Sequence, residues 1–130
     1  TLGEGYLSWW NEEANIRIYF KFALERLIFY SQEFESQINC IIDVLFEEGY
    51  FGFRESAENY GAKIYDFIKY NINSPISKTS PSLFQKYGHF YIRYKANEQT
   101  TWYIFFDKKD TRYLVNFILN NHSQDFPELL

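Results

Sequence analysis

The sequence predicts an α+β domain. Three observations predict it: a short period-two segment near the N-terminus, two long stretches with helical apolar spacing, and three β-prone runs joined by polar turns in the last third. Asn15 to Phe20 (NIRIYF) alternates Ile16, Ile18 and Phe20 with Arg17 and Tyr19, as a half-buried strand does, and is read as the first strand. Residues 1–14 (TLGEGYLSWWNEEA) show no clear period and form an N-terminal arm, leaving residues 15–130 as one domain. From Phe22 the spacing becomes helical. Leu24, Leu27, Ile28 and Phe34 recur in that period, then Ile38, Ile41, Ile42, Leu45 and Phe46 more cleanly, with Gly49 as the stop. The stripe does not decide whether Phe22–Glu48 is one helix or two joined near Ser31–Glu35. A second helical region follows Ser56, its candidate N-cap, through Ala57, Tyr60, Gly61, Ile64, Phe67 and Ile68, and ends before Pro75.

Asn73–Ser82 (NSPISKTSPS) reads as a loop or tether. Beyond it Phe90, Ile92 and Tyr94 alternate with Tyr91, Arg93 and Lys95. A turn at Asn97–Gln99 leads into Thr100–Phe106 (TTWYIFF), and a turn at Asp107–Asp110 (DKKD) leads into Arg112–Leu119 (RYLVNFIL). Strands joined this closely make an antiparallel meander. The helices should pack on one face of the sheet, and the other face should carry the polar residues.

Composition bounds the function classes. The 130 residues are 46% hydrophobic and 22% aromatic, ample for one core and too few for two independent domains. No apolar run is long enough to span a bilayer, so a soluble cytoplasmic protein is expected. Cys40 is the single cysteine, which excludes intramolecular disulfides and cysteine-clustered zinc; inside an apolar run it is expected to be a buried, inert thiol. Charge divides unevenly. Residues 1–80 hold 7 Lys/Arg against 12 Asp/Glu, net −5, and residues 81–130 hold 6 against 5, net +1, summing to the overall −4. Such a chain has no general attraction for phosphate backbones, so a nucleic-acid role needs a local basic site.

One such site is legible. His89, Tyr91, Arg93 and Lys95 share a parity and so one face of their strand, with Arg93 and Lys95 about 7 Å apart at the usual rise, close enough to grip adjacent phosphodiester oxygens. Lys108, Lys109 and Arg112 add a basic cluster at the next turn, offset by Asp107 and Asp110. Near the C-terminus His122 has the side chain best suited to proton transfer near neutral pH, Asp125 follows, and Phe126 can stack on a base. No phosphate-cradling glycine loop, HExxH or nucleophile elbow is present, so no cofactor is expected and a metal-free mechanism is the default for an enzyme.

On Gly88-His-Phe-Tyr-Ile-Arg-Tyr-Lys95, Thr101-Trp-Tyr-Ile-Phe-Phe106, and Leu114–Ile118 leading to Asn121-His-Ser-Gln-Asp-Phe126, the chain resembles the RelE/ParE superfamily of bacterial type II toxin–antitoxin toxins over about residues 15–126. The resemblance implies a microbial-RNase-like fold and, in the RelE, HigB and YafQ branches, metal-independent cleavage of mRNA on the ribosome. It also implies roles. Arg93 would stabilise the transition-state charge with Lys95 assisting, and His122 would act as general acid or base with Asp125 orienting it. Phe126, Tyr91, Tyr103, Lys108, Lys109 and Arg112 would hold the RNA, and a cognate antitoxin would neutralise the protein. The alternative, favoured by the acidic balance, is a non-catalytic module on the same fold: a topoisomerase inhibitor, or a degenerate toxin that binds its antitoxin. The 12 Tyr and 14 Phe could also serve core packing and a homodimer contact.

Overall fold

The computed structural model describes residues 27–49 and 51–123. In chain order these form β1 (Leu27–Tyr30), α1 (Gln32–Glu47), α2 (Arg54–Asn71), β2 (Lys78–Thr79), a 3-10 turn (Ser82–Phe84), β3 (Phe90–Lys95), β4 (Thr101–Lys109) and β5 (Arg112–Asn120). The expected order of strand, two helices and antiparallel meander holds, with β2 as an added short edge. All strands join one sheet in the order β1-β5-β4-β3-β2, with β1 parallel to β5 and the other pairs antiparallel.

The leading strand differs from expectation. The segment Asn15–Phe20 lies outside the described residues, and Leu27–Tyr30, read as helical, is a strand beside β5. The reason lies at Ser31, whose extended backbone and hydroxyl, accepting from the Phe34 N–H at 3.0 Å, cap α1 one residue after β1 ends. Four consecutive apolar residues (LIFY) suit a strand buried on both faces as well as a helix, and the pairing with β5 decides between the two. Gly49 does end α1, with φ +79° just past the last helical turn.

Alternation in β4 gives the sheet two packed faces. Trp102, Ile104 and Phe106 lie beneath the helices with Ile92 and Ile118; there α1 contributes Phe34, Ile38 and Ile42, and α2 contributes Ala57, Gly61, Ile64 and Ile68. Tyr103 and Phe105 point the other way, where polar residues were expected. Instead residues 80–88 fold back across that face: Phe84 stacks on Phe105 (centroids 5.6 Å, planes 11° apart) and Tyr87 on Phe117 (3.8 Å, 7°). A second, aromatic core thus forms from Phe84, Tyr91, Tyr103 and Phe105, which absorbs part of the aromatic excess.

β1 is shorter than β5, and among the described residues no strand lies on the outer edge of β5 after Val115. Side chains of the β1–α1 region substitute for the missing strand. The Ser31 hydroxyl donates to the Asn116 carbonyl (3.1 Å), and the Gln37 amide both donates to the Ile118 carbonyl (3.2 Å) and accepts from the Ile118 N–H (3.0 Å). Asn116 is the extra residue of a bulge, since the register steps from Phe105↔Phe117 to Phe106↔Val115. Replacing Gln37 with Leu strands two half-buried backbone groups, and a loss of about 1–3 kcal/mol in urea unfolding is expected. A change within error would mean that solvent already satisfies them.

Candidate functional site

On the face away from the helices, Tyr91, Arg93 and Lys95 of β3 stand opposite Phe105, Tyr103 and Thr101 of β4. The parity read from the sequence is therefore the observed one, but the row is not an open platform. Tyr91 and Tyr103 are 6% and 4% exposed within the aromatic layer completed by Phe84, so neither ring has a free face for a base. Burial pushes the Tyr103 hydroxyl above its ordinary pKa, and the Arg93 charge partly opposes the shift. Arg93 is exposed, and Lys95 is exposed and bonded to Glu98 at 3.4 Å.

The other predicted residues lie elsewhere. Lys109 and Arg112 face each other at the closed end of the β4–β5 hairpin, Arg112 reaching Asp110 at 3.3 Å, while Lys108 lies over the Tyr113 ring. These belong to the strands: β4 runs through Asp107, Lys108 and Lys109, and only Asp110 and Thr111 turn, with Asp110 in the left-handed region (φ 59°) that a short polar side chain tolerates. From Lys109 to Thr101, beside which Lys95 lies, is about 26 Å of strand, too far for one phosphate site. Asp125 and Phe126 lie outside the described residues.

His122 decides the arrangement. Past the end of β5, its backbone N–H donates to Asn120 Oδ1 (2.9 Å) and its Nε2 lies 3.5 Å from Thr100 Oγ1. The imidazole lines a groove with Gln37, Cys40, Ile41 and Val44 of α1, on the helix-bearing side, whereas Arg93 projects from the opposite face. The fold does not bring the two together. Among the described residues no cluster of three or more His, Cys, Asp or Glu is placed to hold a metal.

No protein-family model, curated protein or solved structure matches this chain.

Two features escaped the sequence. The first is a carboxylate clamp: Asp107 accepts from the His89 N–H (2.9 Å) and Asn116 Nδ2 (2.9 Å) and shares a hydrogen bond with His89 Nδ1 (2.6 Å). It ties the start of β3 to the bulge of β5 across β4. His89 was visible in the strand row, but its partner 18 residues on depends on the register Phe90↔Phe106, which no local pattern gives.

The second is the groove, of about 920 Å³, between the C-terminal half of α1 and the ends of β4 and β5. Its floor is Trp102, Tyr60 and Phe51, and the indole N–H donates to the Tyr60 hydroxyl at 2.9 Å. Val44 is 46% exposed on its wall, and Cys40, expected to be buried, is exposed there. An apolar run suggests a buried thiol, but on a helix its residues fall on different faces: α1 buries Phe34, Ile38 and Ile42, and turns Cys40, Ile41 and Val44 toward the groove. No helix among the described residues is long and apolar enough to cross a membrane.

Proposed function

We propose that this chain is a non-catalytic binding module with a RelE/ParE-like layout, whose partner is a protein of the antitoxin kind. The observation that carries this reading is the placement of Arg93 and His122 on opposite sides of the sheet, which leaves the ribonuclease mechanism without a cation and a proton-transfer group around one phosphate. The buried rings of Tyr91 and Tyr103 support it, since RNA has no stacking platform there. So does the charge of α1, which carries Glu33, Glu35, Asp43 and Glu47 and no Lys or Arg, and which repels a phosphate backbone. The element order of strand, helical pair and meander supports the family layout.

The test is direct. Purified protein is incubated with ribosomes stalled on a defined mRNA, and in parallel is co-expressed with the protein encoded beside it. Intact mRNA and a complex that survives gel filtration are expected. Cleavage by wild type that disappears in His122→Ala would overturn the reading and restore the nuclease.

A further inference from the structure

Resting on the binding reading above, we propose that the groove beside α1 receives a short apolar segment of the partner protein flanked by basic residues. The floor is apolar and held in place, because Trp102 is fixed to Tyr60 by hydrogen bond and edge contact (centroids 6.5 Å) and Tyr60 packs on Phe51 (5.7 Å). Such a floor is a surface for an apolar side chain to cover, and the exposed Val44 on the wall adds apolar area that an occupant would take out of water.

Charge chooses the flanks. No Asp, Glu, Lys or Arg lines the groove, so its walls bring no fixed charge of their own. Its ends are not. On α1 the groove stripe runs through Gln37, Cys40, Ile41 and Val44; Glu33 stands one turn before it and Glu48 one turn after, both exposed. Among the described residues neither acid has an ion-pair partner, and α1 has no basic residue of its own. An apolar trough with an unopposed carboxylate at each end is complementary to an apolar segment with a cation at each end. The stripe from Glu33 to Glu48 is about 22 Å long at the helical rise, which matches about seven residues of extended chain.

The same charges disfavour other occupants. A second copy would set one acidic α1 against another in a chain of net −4, and a nucleic acid would bring phosphates to the two glutamates. The far wall favours a peptide as well. β5 extends to Asn120, beyond the reach of β1 and of the Gln37 amide, and its outer edge there has no strand beside it among the described residues.

Cys40 makes the test possible, since it is the one cysteine of the chain, is exposed and lines the groove. Alkylation of Cys40 in the full chain is timed alone, with a peptide of three leucines between paired lysines, and with the same peptide carrying glutamates in place of the lysines. The lysine peptide is expected to slow alkylation about tenfold at saturation, with the protection fading at high salt, and the glutamate peptide to leave the rate unchanged. In a Glu33→Lys, Glu48→Lys double variant the preference should reverse. Failure of the lysine peptide to protect, equal protection by both peptides, or an unchanged preference in the double variant would overturn the inference. Repeating the measurement on the complex with the neighbouring gene's product separates the two claims. A stable complex in which Cys40 reacts at the free rate sinks the groove as the contact but leaves the binding reading intact. No complex, together with mRNA cleavage, sinks the binding reading itself.

Discussion

Phe84→Ala is expected to cost about 3–5 kcal/mol, the usual range for removing a fully buried aromatic side chain, and to do so although Phe84 lies outside the sheet and both helices. Its ring is 0% exposed and stacks on Phe105, so its loss opens a cavity over the centre of the sheet face that the helices do not cover. The position of the cavity gives a second readout. Tyr103 owes its raised pKa first to burial in this layer, and uncovering it should let the phenol ionise nearer its ordinary value. The sign for stability follows. A tyrosine whose folded pKa exceeds its unfolded value contributes stability that is complete below about pH 10 and is lost as pH rises through the folded value. Wild type should therefore weaken in alkali, as Tyr30 and Tyr60, also raised mainly by burial, require too, and the variant should lose less of its remaining stability over that range. Urea unfolding across pH, with phenolate absorbance, measures both effects. Should Phe84→Ala not fold, Phe84→Leu, expected to cost about 1–1.5 kcal/mol, keeps the same comparison available. A loss below about 1 kcal/mol in the alanine variant would mean that residues 80–88 do not seal this face.

The lid also explains what was legible in the sequence and what was not. Alternation along Phe90–Lys95 and Thr101–Phe106 placed the strands and their faces, because a period of two depends on local geometry alone. It could not say that the second face would be covered. Phe84 and Tyr87 reach it from a stretch of turns with no period, and their partners Phe105 and Phe117 are about 20 to 30 residues away along the chain. The same limit governs the candidate site. Arg93 could be assigned a face because it lies within a strand; His122 lies past the end of β5, where alternation no longer applies, and its side is set by Asn120 and Thr100. At β1 the difficulty was of another kind, since LIFY fits both a strand and the first turns of a helix, and the choice rests on pairing with Arg112–Val115 far along the sequence. The groove was hidden because an amphipathic pattern shows that a helix has an apolar face, not how much of that face the sheet will cover.

Gly88→Ala should be among the most damaging single-methyl additions in the molecule, at about 3 kcal/mol, whereas the same change at Gly61 should cost about 1 kcal/mol or less. Both sites are crowded, and what crowds them decides the difference. A Cβ at Gly88 would stand 2.7 Å from the Phe106 backbone nitrogen and 2.9 Å from its oxygen. Neither atom can give way without disturbing β4, whose Phe106 pairs with Phe90 on one side and Val115 on the other. Relief there means moving the central strand or lifting residues 80–88 off the sheet, which also loosens the adjoining His89–Asp107 clamp. At Gly61 the nearest atoms are side-chain ones, Cδ1 of Ile42 at 2.8 Å and its Cγ1 at 3.1 Å, which a change of rotamer can move without shifting any backbone. Alanine there also gains helix propensity worth about 1 kcal/mol over glycine, which offsets part of the crowding. Thermal unfolding of the two variants side by side gives the comparison. Equal losses would mean that β4 yields as readily as an isoleucine methyl, and the tight crossing of residue 88 over Phe106 would then not be what holds the lid to the sheet.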